Sequence, residues 1–234
     1  MSVKRAIPLL TVLCGVTPVV RAEVLRGQVV DAAGNAVAQA MVQVRLQTER
    51  RESLEPKAVQ ADAQGAFVIA AEVAVGDAVK WVNGLAVSPT RGLGVIAARF
   101  GEPVRVELLP YRSATGVLRD QQGQPVAGAE ICVRWVTLPR KPGEEWARFA
   151  SVPDEFRRPH LATTSGADGK WELRCVPQEA DVSLEVTSEQ YATEQVRVPQ
   201  GVEAPPLIET VLQLAGHIEG TVINAETGKP QPDV

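Results

Sequence analysis

Histidine is almost missing from this chain: there are two among 234 residues, His160 and His217. A hydrolytic zinc site needs two histidines and a carboxylate converging on one metal, with a further carboxylate to activate water. Neither histidine has an acidic neighbour at ligand spacing, so both are read as surface residues and no metal is expected. A Gly-x-Ser-x-Gly elbow, a P-loop and a dinucleotide glycine fingerprint are also missing. No cofactor is therefore expected, and the chain is read as a protein that is not an enzyme. An excess of one charge sign is lacking too: Lys and Arg number 24 against 28 Asp and Glu, a net charge of -4. That balance gives no basic footprint for nucleic acid or anionic lipid. Beyond residue 22 no apolar run approaches the roughly 18 residues a membrane helix requires, so no membrane span is expected in the mature chain.

The opening residues differ in kind. Lys4 and Arg5 precede the apolar run Ala6 to Val20, which is short and broken by proline, and Val20, Arg21 and Ala22 have cleavage spacing. This is the pattern of a secretory signal peptide over residues 1–22, cut after Ala22, and it implies a secreted, periplasmic or cell-surface protein. Three cysteines occur, and cleavage would leave two, Cys132 and Cys175. An oxidising compartment could pair them. Strand parity points Cys132 away from the Ala129, Ile131 and Val133 face and Cys175 toward the Trp171 and Leu173 face, so a disulfide needs strands that bend or end there. Both outcomes stay open at this stage.

What the chain has in abundance is a repeated pattern. Leu25, Gly27 and Val29 alternate with more polar residues, Asp31 to Asn35 interrupt, and Ala40, Val42, Val44 and Leu46 alternate again. Period two on both sides of an Asp/Gly/Asn cluster predicts strand, tight turn and strand. The same positions return 89 residues later as Gly116, Asp120, Gly123, Val126, Ala129 and Val133. Gly34 and Gly123 are expected to supply a positive φ in the turn. A second mark, Gly65 with Phe67, returns 104 residues later as Gly169 with Trp171, so the second copy carries about 15 extra residues between its marks. Helical periodicity is absent, and 17 prolines and 19 glycines disfavour long helices. The class expected is all-β, with sandwiches over residues 23–110 and 111–215. A third copy opens at residues 216–234 with Ile218, Gly220 and Val222 and is expected to be truncated.

The second copy, with Gly116, Val117, Asp120, Gly123, Pro125, Val126, Gly128, Ala129, Ile131, Val133, Asp168, Gly169 and Trp171 in place, resembles the carboxypeptidase regulatory-like domain. The first copy departs from that pattern at Ala36, Gln39 and Gln64. The resemblance implies tandem transthyretin-like (prealbumin-like) seven-strand β-sandwiches with a carbohydrate-binding-like fold and a non-catalytic role, structural or binding. It equally allows the accessory front of a larger secreted hydrolase or cell-surface receptor whose active domain lies beyond residue 234. Both opening strands lack the lysine that an internal Lys–Asn isopeptide bond would need. Asp31, Asp62, Asp120 and Asp168 could hold calcium if their turns cluster, but single aspartates in glycine turns usually cap their own backbone.

One stretch invites a functional reading. From Trp135 to His160, which includes most of the extra residues, Trp135, Trp146, Phe149 and Phe156 are interleaved with Arg140, Arg148, Arg157 and Arg158, in a chain only 4% aromatic. Exposed aromatics beside arginines suit a sugar ring or a protein partner, and Trp135, Trp146, Arg148, Phe149 and Phe156 are the candidate contacts. The competing expectation is that the loop folds back and its aromatics cover a sheet.

Overall fold

Alternation of apolar and polar residues produces strands throughout, and the computed structural model describes residues 20–75, 77–140, 147–198, 200, 207–216, 221–225, 227 and 229–230. The first copy forms β1 (Val20–Asp31), β2 (Met41–Thr48), β3 (Lys57–Gln60), β4 (Ala66–Ala74), β5 (Val79–Ser88), β6 (Gly92–Arg99) and β7 (Val104–Leu108). They pair as two sheets, β4-β1-β7 and β3-β2-β5-β6, with β1 and β7 parallel and the other pairs antiparallel. The inward residues Leu25, Val29, Val42, Val44, Leu46, Phe67, Ile69, Val82 and Ile96 from the facing sheets fill one core, as two-sheet sandwiches require.

The second copy repeats the plan with β8 (Tyr111–Asp120), β9 (Glu130–Thr137), β10 (Phe149–Ser151), α1 (Asp154–His160), β11 (Ala162–Thr164), β12 (Lys170–Pro177), β13 (Asp181–Thr187), β14 (Glu194–Val198) and β15 (Ile208–Leu212). Its sheets are β12-β8-β15, again with a parallel outer pair, and β9-β13-β14 with β10 and β11 both along the free side of β9. Strand β11 therefore takes the place of β3, and β10 with α1 is the extra material. No helical periodicity announces α1, which is 7 residues, about two turns, starting after Pro153 and ending on Pro159 and His160.

The punctuation residues act as their chemistry dictates. Gly34 and Gly123 have φ of 84° and 79°. Asp31 Oδ1 accepts hydrogen bonds from the N–H groups of Ala33 and Asn35 at 3.0 and 2.9 Å, and Asp120 Oδ1 does the same for Gln122 and Gln124 at 2.9 and 2.8 Å. Asp62 likewise holds the N–H groups of Gln64 and Ala66, and Asp168 that of Lys170. A further repeated device joins the two marks across the sheet: Gly27 pairs with Phe67 and Gly116 with Trp171. A Cβ on Gly27 would stand 2.3 Å from the Phe67 ring, and one on Gly116 2.4 Å from the Trp171 ring. Only glycine fits at either place, because the aromatic ring and a neighbouring carbonyl, of Val104 or Ile208, occupy the space a Cβ would take.

Strand β1 begins at Val20, so the ladder with β4 runs through the expected cleavage point, and a chain starting at Glu23 would open at the Glu23–Ala71 pair. The two sandwiches are joined by two residues, Leu109 and Pro110, and the joint is itself paired: Leu109 and Leu93 exchange N–H···O bonds of 3.0 and 3.1 Å. Beyond β15, Ile223 and Pro230 form a single bridge around Asn224, whose N–H reaches Lys229 O at 2.9 Å. His217 and Gly220 lie outside the described residues. Among the described residues no helix is long and apolar enough to cross a membrane.

Candidate binding groove between the sandwiches

The outer face of the β2-β5-β6 sheet decides how the two sandwiches meet. Its cross-strand rows are Met41–Val87–Leu93, Gln43–Leu85–Val95, Arg45–Asn83–Ala97 and Gln47–Trp81–Arg99. The first two rows are largely apolar: Leu85, Val87, Leu93 and Val95 are buried in one cluster with the core of the second sandwich, and Met41 packs against it. Burying each such side chain is worth about 1.5–3 kcal/mol. The last two rows stay uncovered, with Arg45, Asn83, Trp81, Ala97 and Arg99 all exposed.

Where the covered half ends, a groove of about 580 Å³ opens. Its floor is the first sandwich, with Gln43, Arg45, Gln47 and Asn83. The opposite wall is the second sandwich, with Arg134, Trp135, Phe149, Ser151 and Glu155. Gln43 Nε2 donates to Glu155 Oε1 across the boundary and ties α1 to the floor. Trp135 and Phe149 are 38% and 55% exposed, with ring centroids 6.2 Å apart and planes at 47°. The Arg134 guanidinium lies 5.9 Å from the Trp135 ring centre.

Trp135 reaches this wall through a fault in the repeat. Alternation from Ile131 and Val133 would carry it inward, and its counterpart 89 residues earlier, Leu46, is a core residue, 1% exposed. Strand β9, however, pairs Trp135 with Ser183 and Val133 with Leu184, so Arg134 is an extra residue without an opposite number. The bulge reverses parity, sends Val136 and Leu138 into the core and turns Trp135 out. Re-aiming one side chain is what a bulge does.

The Trp135 to His160 stretch thus divides. Phe156 is 3% exposed and lies in the second core with Ala150, Val152 and Leu161, so that part folds back onto its own sandwich. Phe149 and Trp135 face the groove, Arg148 is half-buried beside them, and Trp146 lies outside the described residues. Trp81, which no motif singled out, is also exposed on the same sheet face, 42% accessible, with Arg99 5.3 Å over its ring. Only the parity of β5 could have flagged it, since it shares the outward phase of Leu85 and Val87. His160 is half-buried at the end of α1.

On the far side of α1 the outer face of β9 and β13 is ionic. Arg157 bonds Glu185 Oε1 at 2.7 Å and pairs with Asp154, Arg134 reaches Glu185 Oε2 at 3.5 Å, and Arg158 reaches Glu130 at 3.7 Å. Cys132 is buried beneath Arg157, whose Nη1 lies 3.8 Å from its sulfur. Burial pushes the Cys132 thiol up, with Arg157 opposing. Cys175 sits in the other sheet against the core, its thiol raised by burial to about 12. Both thiols are free. The parity argument explains why: the two cysteines belong to different sheets, one turned out and one turned in, and the disulfide left open by the sequence is not formed. Among the described residues no group of three or more His, Cys, Asp or Glu is placed to hold a metal ion.

No family model and no curated protein matches the chain. Solved structures similar to it include a streptococcal ancillary pilin, with a TM-score of 0.34 and 11% identity over 84% of this chain and 63% of that one. The shaft pilin SpaA from Lactobacillus rhamnosus GG gives a TM-score of 0.30 and 10% identity over 86% of this chain and 100% of that one. The pilus protein RrgB from Streptococcus pneumoniae gives 0.29 and 10%, over 85% and 48%. The chain spans less than two thirds of the ancillary pilin and about half of RrgB. Likeness of this degree does not fix function.

Proposed function

We propose that this chain is an exported, non-catalytic binding module in which two transthyretin-like sandwiches act as one body and hold a carbohydrate in the groove between them. The observation that carries this reading is the bulge at Arg134, which removes Trp135 from a core position and sets it beside Phe149 on an open wall. A large aromatic surface left uncovered costs hydrophobic stabilisation, and binding sites are where such exposure has a use. Aromatic faces pack against the apolar side of a sugar ring, while the amides of Gln43, Gln47 and Asn83 can both donate to and accept from hydroxyl groups. An extended chain of that shape suits an open groove lined by polar groups.

The reading is tested by affinity electrophoresis of the purified chain through gels containing soluble polysaccharides, with the Trp135→Ala/Phe149→Ala double variant alongside. Retardation by at least one polysaccharide is expected, weakened tenfold or more in the variant. The melting temperature of the variant should stay close to that of the parent, because exposed side chains typically contribute within about 0.5 kcal/mol. Equal retardation of both proteins would contradict the site.

A further inference from the structure

The groove does not stop at its walls. From Arg45 and Asn83 on its floor, the uncovered face of the β2-β5-β6 sheet continues to the next row, where Gln47 lines the groove and Trp81 and Arg99 lie beyond it. Trp81 lies two residues along β5 from Asn83, about 7 Å at the rise of an extended strand. At each end of this track stands the same pair, an exposed tryptophan with a guanidinium over its ring: Arg134 with Trp135 and Arg99 with Trp81. The two uncovered rows carry Arg45 and Arg99 and no carboxylate. Arg45 has no ion-pair partner among the described residues. The carboxylate that does line the groove, Glu155, is engaged by Gln43.

From this juxtaposition we infer that the groove and the Trp81 row form one continuous site for an acidic polysaccharide, a chain of sugars bearing uronate carboxylates, with Trp135 and Trp81 as its two stacking platforms. This rests on the groove being the binding site at all. A ring that carries a carboxylate presents an apolar face and a negative edge together, and an exposed tryptophan with an arginine packed over its ring offers an aromatic surface and a positive charge side by side. An acidic peptide would meet the same charges but would leave its backbone unpaired. The interior strands β2 and β5 offer it no ladder edge, and the track meets edge strands only at its ends, at β6 and at β10, which is 3 residues long. The hydroxyls of a sugar, by contrast, find side-chain amides along the track.

The test uses the full chain and soluble polygalacturonate, alginate and hyaluronate as uronate polymers, with methyl-esterified polygalacturonate, dextran and poly-L-glutamate as comparators. At least one uronate polymer should retard the protein, and esterified polygalacturonate, whose charge is removed, should bind at least tenfold more weakly than the best of them. Trp81→Ala and Arg99→Gln should each weaken uronate binding fivefold or more without shifting the melting temperature, and Trp135→Ala should do so as well. Binding of dextran or esterified polymer that depends on Trp135 and ignores Trp81 would overturn the acidic-chain inference while leaving the groove in place. Equal competition by poly-L-glutamate would also overturn it, because charge alone would then suffice. Failure of every polysaccharide to bind would overturn this inference and the groove reading together.

Discussion

The two sandwiches share a plan and differ on one face. In the first, the outer rows of the larger sheet begin with Met41, Leu85, Val87 and Val95. In the second, the positions in the same register are Glu130, Glu185, Thr187 and Gln195. The first face is covered by its neighbour and the second is tied up by Arg134, Arg157 and Arg158 under α1. A third sandwich docked on the second in the way the second docks on the first would have to bury Glu185 and its ion pairs. Charges in such a place are costly unless fully compensated. The difference shows that the two faces are not equivalent: the first is built for docking, and the second would have to give up its ion pairs before another sandwich could pack on it in the same way.

Putting a charge on the docking face should have the largest effect. Leu85→Glu places an unpaired carboxylate at a contact that is 1% exposed; a loss of about 3–5 kcal/mol is expected, read as a lower denaturation midpoint in urea. It should also separate the unfolding of the two halves. At the repeat-related pair Leu46 and Trp135 the expected contrast is smaller. Leu46→Ala should cost about 2–5 kcal/mol as a core truncation, whereas Trp135→Ala should cost under about 1 kcal/mol, although it removes more atoms. Similar losses at both positions would mean that the bulge does not turn Trp135 out.

The smallest effect belongs to the turns. Asp31 is held below the usual carboxylate range, first by the N–H of Asn35. An acid with a depressed folded-state pKa adds stability above its unfolded value, near 3.8, and loses it as pH falls through the lower folded value. Asp31→Ala should therefore lower the melting temperature by a few degrees at pH 7, and by progressively less as the pH falls below 3.8. Asp168, held low first by Lys170, should behave the same way in the second copy.

Most of the architecture was legible in the residues because its determinants are local. Gly34 and Gly123, the four turn aspartates and the alternating valines fix strand and turn positions by backbone conformation and parity alone. The repeat offsets also placed the insertion between β9 and β12. The groove was legible only in part. Trp135 and Phe149 were found by composition, but the reason Trp135 points outward is a pairing with Ser183 nearly fifty residues away, and no local pattern encodes a bulge. Phe156 was expected among the contacts and lies in the core, because α1 uses it to seal the second sandwich. No sequence signal marks Trp81, because an exposed aromatic in a strand looks like any other residue of outward parity until the sheet around it is assembled. The docking face had a signal that is easy to read too simply: β5 and β6 are apolar on both phases, with Val82, Leu85, Ala86 and Val87 in one run and Leu93, Val95 and Ile96 in the next. Continuous apolarity in a strand means that both faces are covered.

The measurement that bears most directly on this account is scanning calorimetry of the chain beside its Leu85→Glu variant. If the docked face makes the two sandwiches one body, the parent should unfold in a single transition whose calorimetric and van't Hoff enthalpies agree, and the variant in two. Two independent transitions in the parent, unchanged by Leu85→Glu, would contradict it, because no fixed groove could then exist between them.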